Sequence, residues 1–112
     1  MYSAAFIFRP GIYDDEFHRL NKLIDAAANA TDGFLGTESW QSADGKTVNA
    51  TYYWESLDAL REFSMNPHHL EAKKQVSRWY DGYHIVISEV LRSYGDNTIE
   101  HLTPNDRDEQ SS

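Results

Sequence analysis

The side chain best suited to acid–base chemistry in this sequence is His69. An imidazole titrates near neutral pH and can take a proton from a phenol. His69 lies three, seven and eleven residues before Ala72, Val76 and Tyr80, a helical spacing that predicts one inward face. A packed structural histidine is the alternative interpretation. The adjacent His68 points about 100° away around a helix, so the pair cannot chelate one metal ion.

A second polar pair lies on a segment with the pattern of a strand. Asn49 and Tyr53 are four residues apart and therefore share one strand face with Thr51. An amide beside a phenol can orient a substrate carbonyl or stabilise an enolate by hydrogen bonding. We take Asn49 and Tyr53 as candidate catalytic residues alongside His69. The alternative is an exposed position near a hairpin.

Aromatic side chains are candidate walls of a substrate pocket. The chain has three Trp, seven Tyr and five Phe residues, and aromatic walls suit flat aromatic ligands. Ordinary core packing is the alternative interpretation. The candidates for substrate binding are Phe6, Trp54, Phe63, Trp79 and Tyr80.

The elements that must position these residues follow from hydrophobic periodicity, which predicts the order β-α-β-β-α-β. Asp44-Gly45 predicts the turn of a central hairpin, and Ser56 and Asn66-Pro67 predict helix starts. The predicted strands are 2–9, 34–41, 47–54 and 83–94, and the predicted helices run from about 13 to 30 and from 56 to 82, with a restart at 66. This is the order of an α+β, ferredoxin-like fold, an antiparallel sheet with helices on one face.

The second face of that sheet needs a cover. Strands one, three and four are apolar on both sides, as Ile7, Tyr52, Ile85 and Val86 illustrate. An uncovered apolar face of this size is typical of a protein interface. We therefore expect a homodimer that pairs through the open sheet face and encloses a barrel-like interior.

Charge and composition exclude several classes of protein. The chain of 112 residues has 18 acidic against 10 basic residues and a net charge of −8, which argues against nucleic-acid binding and against an anionic membrane surface. It has no Cys, and therefore no thiolate ligand or nucleophile. No signal-peptide pattern and no transmembrane run is recognised, so we expect a soluble cytoplasmic protein.

The chain divides into two parts by composition. Residues 1–94 read as a single domain. Residues 95–112 contain five acids but only Ile99 and Leu102 as large apolar side chains. Such a segment cannot bury enough surface to offset the entropy of ordering, so we expect a disordered acidic tail.

Sequence motifs for common cofactors are absent. The chain has no Gly-rich phosphate loop, no dinucleotide fingerprint and no His-Glu-x-x-His zinc motif. We therefore expect no cofactor and no metal site. Any oxygenase chemistry would have to draw its electrons from the substrate, which favours an electron-rich phenol or hydroquinone.

One run of residues resembles the antibiotic biosynthesis monooxygenase family. The run is YYWESLDAL from Tyr52 to Leu60, followed by Phe63 and by NPHH from Asn66 to His69. The resemblance covers residues 1–94 and implies a dimeric α+β barrel. The family includes cofactor-free monooxygenases of aromatic polyketides and quinols, heme-degrading enzymes and proteins without a known role.

The heme-degrading branch of the family fits this chain poorly. The iron-binding histidine of that branch corresponds to Lys73, its inner tryptophan to Phe63, and its first-strand asparagine falls near Ala4. The resemblance therefore implies a cofactor-independent monooxygenase acting on a small aromatic or quinol-like substrate between the sheet and the helices. The alternative is a non-catalytic, dimeric protein of the same fold that binds a small ligand or serves in a stress response.

Overall fold

A computed structural model of the chain describes residues 1–107, which contain four strands and four helices. Their bounds are β1 Tyr2–Pro10, α1 Asp15–Ala30, β2 Phe34–Gln41, β3 Val48–Trp54, α2 Leu57–Ser64, α3 Pro67–Lys74, α4 Val76–Trp79 and β4 Tyr80–Glu89. The strands form an antiparallel sheet in the order β2-β3-β1-β4. The predicted α+β, ferredoxin-like fold is confirmed.

Short-range hydrogen bonds explain where the longer helices begin. The Asp14 carboxylate accepts a hydrogen bond from the Phe17 N–H at 2.9 Å before α1. Ser56 accepts one from the N–H of Ala59 before α2, and Asn66 caps α3 while Pro67 occupies its first turn. Each cap pairs a backbone donor that the helix itself leaves free, and the predicted starts at Ser56 and Asn66 are confirmed.

The hairpin between β2 and β3 turns at the predicted position. Gly45 has a φ of +73°, in the left-handed region that glycine adopts without strain. The Asp44 carboxylate accepts hydrogen bonds from the Ser42 hydroxyl and the Lys46 N–H. A backbone hydrogen bond from Ser42 to Thr47 closes the turn, so the local sequence fixes the pairing of the two strands.

The prediction of one helix from Asn66 to Gly82 is wrong beyond Lys74. The N–H of Gln75 bonds to the carbonyl of Ala72, three residues back, and the helix ends there. A single turn, α4, follows, and β4 begins at Tyr80 and ends at Glu89, not at the predicted positions 83 and 94. The cause is tertiary, because the side chains of Gln75 and Arg78 bond to Glu16 on α1.

The sheet separates β3 side chains into two sets. Tyr52 and Trp54 pack with helix residues on the helix-facing side, together with Ala4 of β1. Because strand residues alternate between faces, Asn49 and Tyr53 lie on the outer face. Residues that are close in sequence on β3 are therefore kept apart by the thickness of the sheet.

The helix-facing side holds two clusters of buried residues, each built around one tryptophan. The Trp54 cluster lies under α2 and the C-terminal half of α1, and the Trp79 cluster lies under the N-terminal half of α1. The Trp54 cluster consists of Ala28, Trp54, Ala59, Leu60 and Phe63. The Trp79 cluster consists of Phe17, Leu20 and Trp79.

Strand β4 leaves apolar side chains exposed on both of its faces. Ile85 and Ile87 on one face are 51% and 57% exposed, and Val86 on the other is 41% exposed. Such exposure is unusual for large aliphatic residues in a sheet. Ile85 and Ile87 lie on the helix-facing side, opposite Phe6 and Ala4 of β1, and Val86 lies on the outer face. The exposure of Val86 fits the expectation of a second copy on the outer face, which stays a prediction.

Part of the predicted tail contacts the folded body. Ser93 and Asp106 bond to one another through two hydrogen bonds, His101 lies 2.8 Å from the Glu38 carboxylate, and Leu102 packs against Gly36. These contacts involve residues of the segment that the sequence predicts to be a disordered tail, and that disorder stays a prediction. Residues 108–112 lie outside the described residues, and the domain boundary after residue 94 stays a prediction.

Candidate functional site

An open groove of about 480 Å³ lies between α1 and the helix-facing side of β2 and β3. Its volume falls within the range of small-molecule sites. Asn21, Asp25 and Asn29 line one wall, because residues four apart share a helix face. Phe34 and Tyr52 contribute from the strands. The groove thus sets amide and carboxylate groups beside two aromatic rings.

Tyr52 is the titratable phenol of the groove. Burial raises its pKa above the usual value, and the negative charge of Asp25 raises the pKa further. The phenol is therefore neutral at pH 7 and is able to donate a hydrogen bond. The α1 row was not singled out from the sequence, and Tyr52 was recognised there as an apolar strand residue but not proposed as a site residue. The four-residue spacing of Asn21, Asp25 and Asn29 is the signal that could have revealed the wall.

Trp54 is fully buried beside this groove. Its ring centroid lies 4.9 Å from that of Phe34, which lines the groove, and 5.1 Å from that of Phe63 on α2. The position follows from the sequence, because Trp54 ends β3 and Ser56 starts α2 directly over it. The indole Nε1 makes no hydrogen bond, which is uncommon for a buried tryptophan.

His69 lies on the other side of Phe63. The two ring centroids are 5.0 Å apart, and the imidazole Nδ1 is buried without a hydrogen bond. Burial lowers the pKa of His69 below its usual value. A contact with the Ser64 backbone, whose geometry falls short of a hydrogen bond, opposes this shift, and the charge of Lys73 adds to it. At pH 7 the side chain is therefore a neutral imidazole, the form that can accept a proton.

The remaining aromatic candidates form the far end of the same layer. Trp79 donates a hydrogen bond from Nε1 to Asp14 at 3.0 Å. Phe6 meets Tyr80 edge-on with ring centroids 5.2 Å apart, and burial raises the pKa of the Tyr80 phenol. All five aromatic candidates therefore lie on the helix-facing side, although Tyr80 belongs to a strand and not to the predicted helix.

The structure does not bring Asn49 and Tyr53 to this layer. Tyr53 donates a hydrogen bond to Glu38 at 2.6 Å on the outer face, and burial followed by this bond raises the pKa of Tyr53 to about 12. Asn49 accepts a hydrogen bond from Thr51. Both side chains are engaged within the outer face, separated by the sheet from Trp54.

His101 completes a polar group on that outer face. Its Nε2 lies 2.8 Å from the Glu38 carboxylate, and its ring meets Tyr53 edge-on at 5.5 Å. These bonds, with that of Tyr53 contributing most, lower the pKa of Glu38. The sequence analysis missed this group, because a lone histidine among acids carries no periodic signal.

Two kinds of feature are absent from residues 1–107. No three His, Asp or Glu side chains of this part of the chain lie close enough together to hold a metal ion. None of its helices combines the length and apolar content that crossing a bilayer requires.

Comparison with known proteins identifies a family match. The sequence profile of a family described as monooxygenase af470-like matches residues 10–88. A relative in Bacillus subtilis (strain 168), the uncharacterized protein YqjZ, is 36% identical over 72 residues, which are 63% of this chain and 61% of the relative. The match thus spans less than two thirds of that relative.

Solved structures share the fold at low sequence identity. Rv0793 from Mycobacterium tuberculosis has a TM-score of 0.63 at 24% identity, over 84% of this chain and 98% of that one. SnoaB, a cofactor-independent oxygenase from Streptomyces nogalater, has a TM-score of 0.65 at 14% identity, over 82% and 94%. Structures named as antibiotic biosynthesis monooxygenases match too, so the resemblance inferred from the sequence is confirmed.

Proposed function

This chain belongs to the monooxygenase af470-like family, and we propose that it is a cofactor-independent monooxygenase of a small aromatic or quinol-like substrate. The observation that carries the proposal is the neutral, half-buried His69 on the same side of the sheet as the groove and the aromatic layer. Such a reaction requires the protein to supply a general base and an apolar site that excludes water.

The reaction balances with oxygen as the only co-reactant. A hydroquinone and one O₂ give a hydroxyquinone and one water. The O–O bond, one ring C–H bond and two phenolic O–H bonds break, while one C–O bond and the O–H bonds of the new hydroxyl and of water form. All four electrons come from the substrate. Removal of a phenolic proton by His69 makes the ring electron-rich enough to react with O₂.

The aromatic residues have a supporting role in this proposal. Trp54 binds the ring of the substrate, and Phe63 closes the same site. Phe6, Trp79 and Tyr80 form the apolar far end of the layer and keep water from the reactive anion. Asn49 and Tyr53 are not included, because they lie across the sheet from His69. The site thus consists of one base, an aromatic wall and the polar groove beside it.

We also propose that the protein is a homodimer through the open sheet face. The exposed apolar side chains of Trp40 and Val86 on the outer face support this assembly, since a second copy would remove them from water. Light scattering at micromolar concentration is expected to give twice the chain mass of 12.9 kDa. A monodisperse monomer would contradict the proposal.

The test of the catalytic role is oxygen uptake with a panel of hydroquinones and naphthols. The variant His69→Ala should lose about 10²-fold or more of the rate, the range that general-base catalysis contributes. His68→Ala is the matched control, because the neighbouring imidazole points to another side of α3 and should leave the rate near that of the unmodified protein. Unchanged turnover in His69→Ala would remove this residue from the mechanism.

The second candidate function is ligand binding without catalysis. The open groove favours it, because the amide and carboxylate groups of α1 can hold a polar ligand without any base. Saturable binding of the same panel without oxygen uptake by the unmodified protein would support this function and count against the monooxygenase.

A further inference from the structure

Two buried side-chain nitrogens lack hydrogen bonds among residues 1–107: Trp54 Nε1 and His69 Nδ1. They belong to different elements, since Trp54 ends β3 and His69 lies in the first turn of α3. Both rings contact the same third ring, that of Phe63, at 5.1 and 5.0 Å between centroids. The two unpaired nitrogens therefore flank one removable apolar side chain.

An unpaired buried donor or acceptor costs free energy, because it gives up its bond to water and gains nothing in return. The same chain avoids that cost elsewhere. The other buried indole, Trp79, donates to the Asp14 carboxylate at 3.0 Å. An indole without a partner is therefore a local feature of the Trp54 cluster and is not a general property of this core.

Phe63 is placed so that it can move. It lies in the last turn of α2, two residues before the exposed Met65 that joins α2 to α3. The carbonyl of Phe63 bonds to the N–H of Asn66, so the side chain can turn about its own torsions at the helix end without loss of that backbone bond. Phe34 provides the approach, because it lines the groove and also contacts Trp54.

We infer that Phe63 is a plug in an inner ligand site, and that a flat aromatic ligand bearing a hydroxyl or carbonyl oxygen displaces its ring. The Trp54 N–H then donates to the ligand oxygen, and Nδ1 of His69 pairs with the ligand hydroxyl. The inference rests on the proposed function, since the ligand belongs to the proposed substrate class. It adds where the reacting oxygen binds and why the site is closed when empty.

The test follows the three indole N–H resonances by ¹H–¹⁵N NMR during titration. The probe is 1-naphthol, and 1-methylnaphthalene is the matched compound in which a methyl replaces the hydroxyl. With 1-naphthol the Trp54 resonance should move downfield and saturate, while that of Trp79 stays in place. With 1-methylnaphthalene the downfield shift should be missing.

Removal of the plug should tighten binding. If the open state is populated at about a tenth, Phe63→Ala binds 1-naphthol about tenfold more tightly than the unmodified protein. Phe17→Ala is the matched control, because Phe17 is similarly buried and lies 5.3 Å from Trp79, whose N–H is paired. Phe63→Leu and Phe17→Leu serve if the alanine variants do not fold.

Two results would overturn the inner site: a Trp54 resonance that stays in place at saturating 1-naphthol, or equal changes of affinity in the Phe63 and Phe17 variants. The proposed function can fail separately. Binding with the Trp54 shift but without oxygen uptake on any hydroquinone would keep the inner site and reject the monooxygenase. Oxygen uptake without the Trp54 shift would keep the monooxygenase and reject the inner site.

Discussion

The Trp54 cluster and the Trp79 cluster solve the same packing problem with different polar chemistry. Each buries one indole against a phenylalanine from a helix, with ring centroids 5.1 and 5.3 Å apart. The Trp79 indole donates to a carboxylate, whereas the Trp54 indole has no partner. One end of the helix-facing layer therefore has its buried polar group paired, as in an ordinary core, whereas the other end has unpaired polar groups.

Asp14 supplies the polar contacts that stabilise the Trp79 cluster. Its carboxylate caps α1, accepts the Trp79 N–H and pairs with Arg78. These contacts lower its pKa, and the bond from the Phe17 N–H contributes most. The Trp54 cluster contains no side chain of this kind, since its buried members are Ala28, Trp54, Ala59, Leu60 and Phe63.

The largest expected effect is on the Trp79 cluster, from Asp14→Ala. The variant removes the cap of α1 and also leaves a buried indole N–H without a partner, which costs about 1–3 kcal/mol. Ser56→Ala is the reference variant, because it removes a helix cap alone and should lower the free energy of unfolding by about 1 kcal/mol. Denaturant unfolding measures both variants. If Asp14→Ala loses no more stability than Ser56→Ala, the Trp79 hydrogen bond does not stabilise the fold.

A smaller effect separates the two tryptophans themselves. Trp54→Phe and Trp79→Phe remove the same atoms from equally buried positions, so their loss of packing should be similar. At position 54 the change also removes an unpaired donor whose burial costs about 1–3 kcal/mol, whereas at position 79 it breaks a hydrogen bond. Trp54→Phe should therefore be the milder variant in urea unfolding. The reverse order would mean that Trp54 Nε1 has a partner in solution.

Much of the fold could be predicted because its signals are local. The caps at Ser56 and Asn66, the turn at Asp44-Gly45 and the alternating strands each depend on neighbouring residues. The end of α3 at Gln75 could not be predicted, because it depends on Glu16, which is 59 residues away. Local periodicity continues through that position, where Gln75 contacts Glu16 of α1.

The candidate site divides in the same way. The inward face of His69 was predicted from its helical spacing, and the five aromatic residues were predicted as pocket walls from their residue type. Asn49 and Tyr53 were placed in the same pocket because alternation gives two faces but does not say which one the helices cover. Which of the two indoles has a hydrogen-bond partner could not be predicted from the sequence, since Asp14 and Trp79 are 65 residues apart.

The smallest expected effect, a difference in acid sensitivity, concerns both clusters. Burial holds the pKa of His69 below its usual 6.5, so its stabilising contribution is complete above pH 6.5 and is lost as the pH falls through the lowered folded-state value. The corresponding loss for Asp14 begins only below its usual 3.8. The melting temperature should therefore fall between pH 8 and pH 5, and the first loss of stability should come from the region of the Trp54 cluster.

His69→Gln should flatten that pH dependence, because glutamine keeps a polar side chain but does not titrate. His68→Gln is the control, since the ring of His69 contacts Phe63 whereas the neighbouring imidazole points to another side of α3, and it should leave the slope unchanged. Fluorescence of Trp54 and Trp79 in single-tryptophan variants assigns the change to a cluster. An equal flattening in both variants would show that the acid response belongs to the surface of α3, and the two clusters would then differ only in the pairing of their indoles.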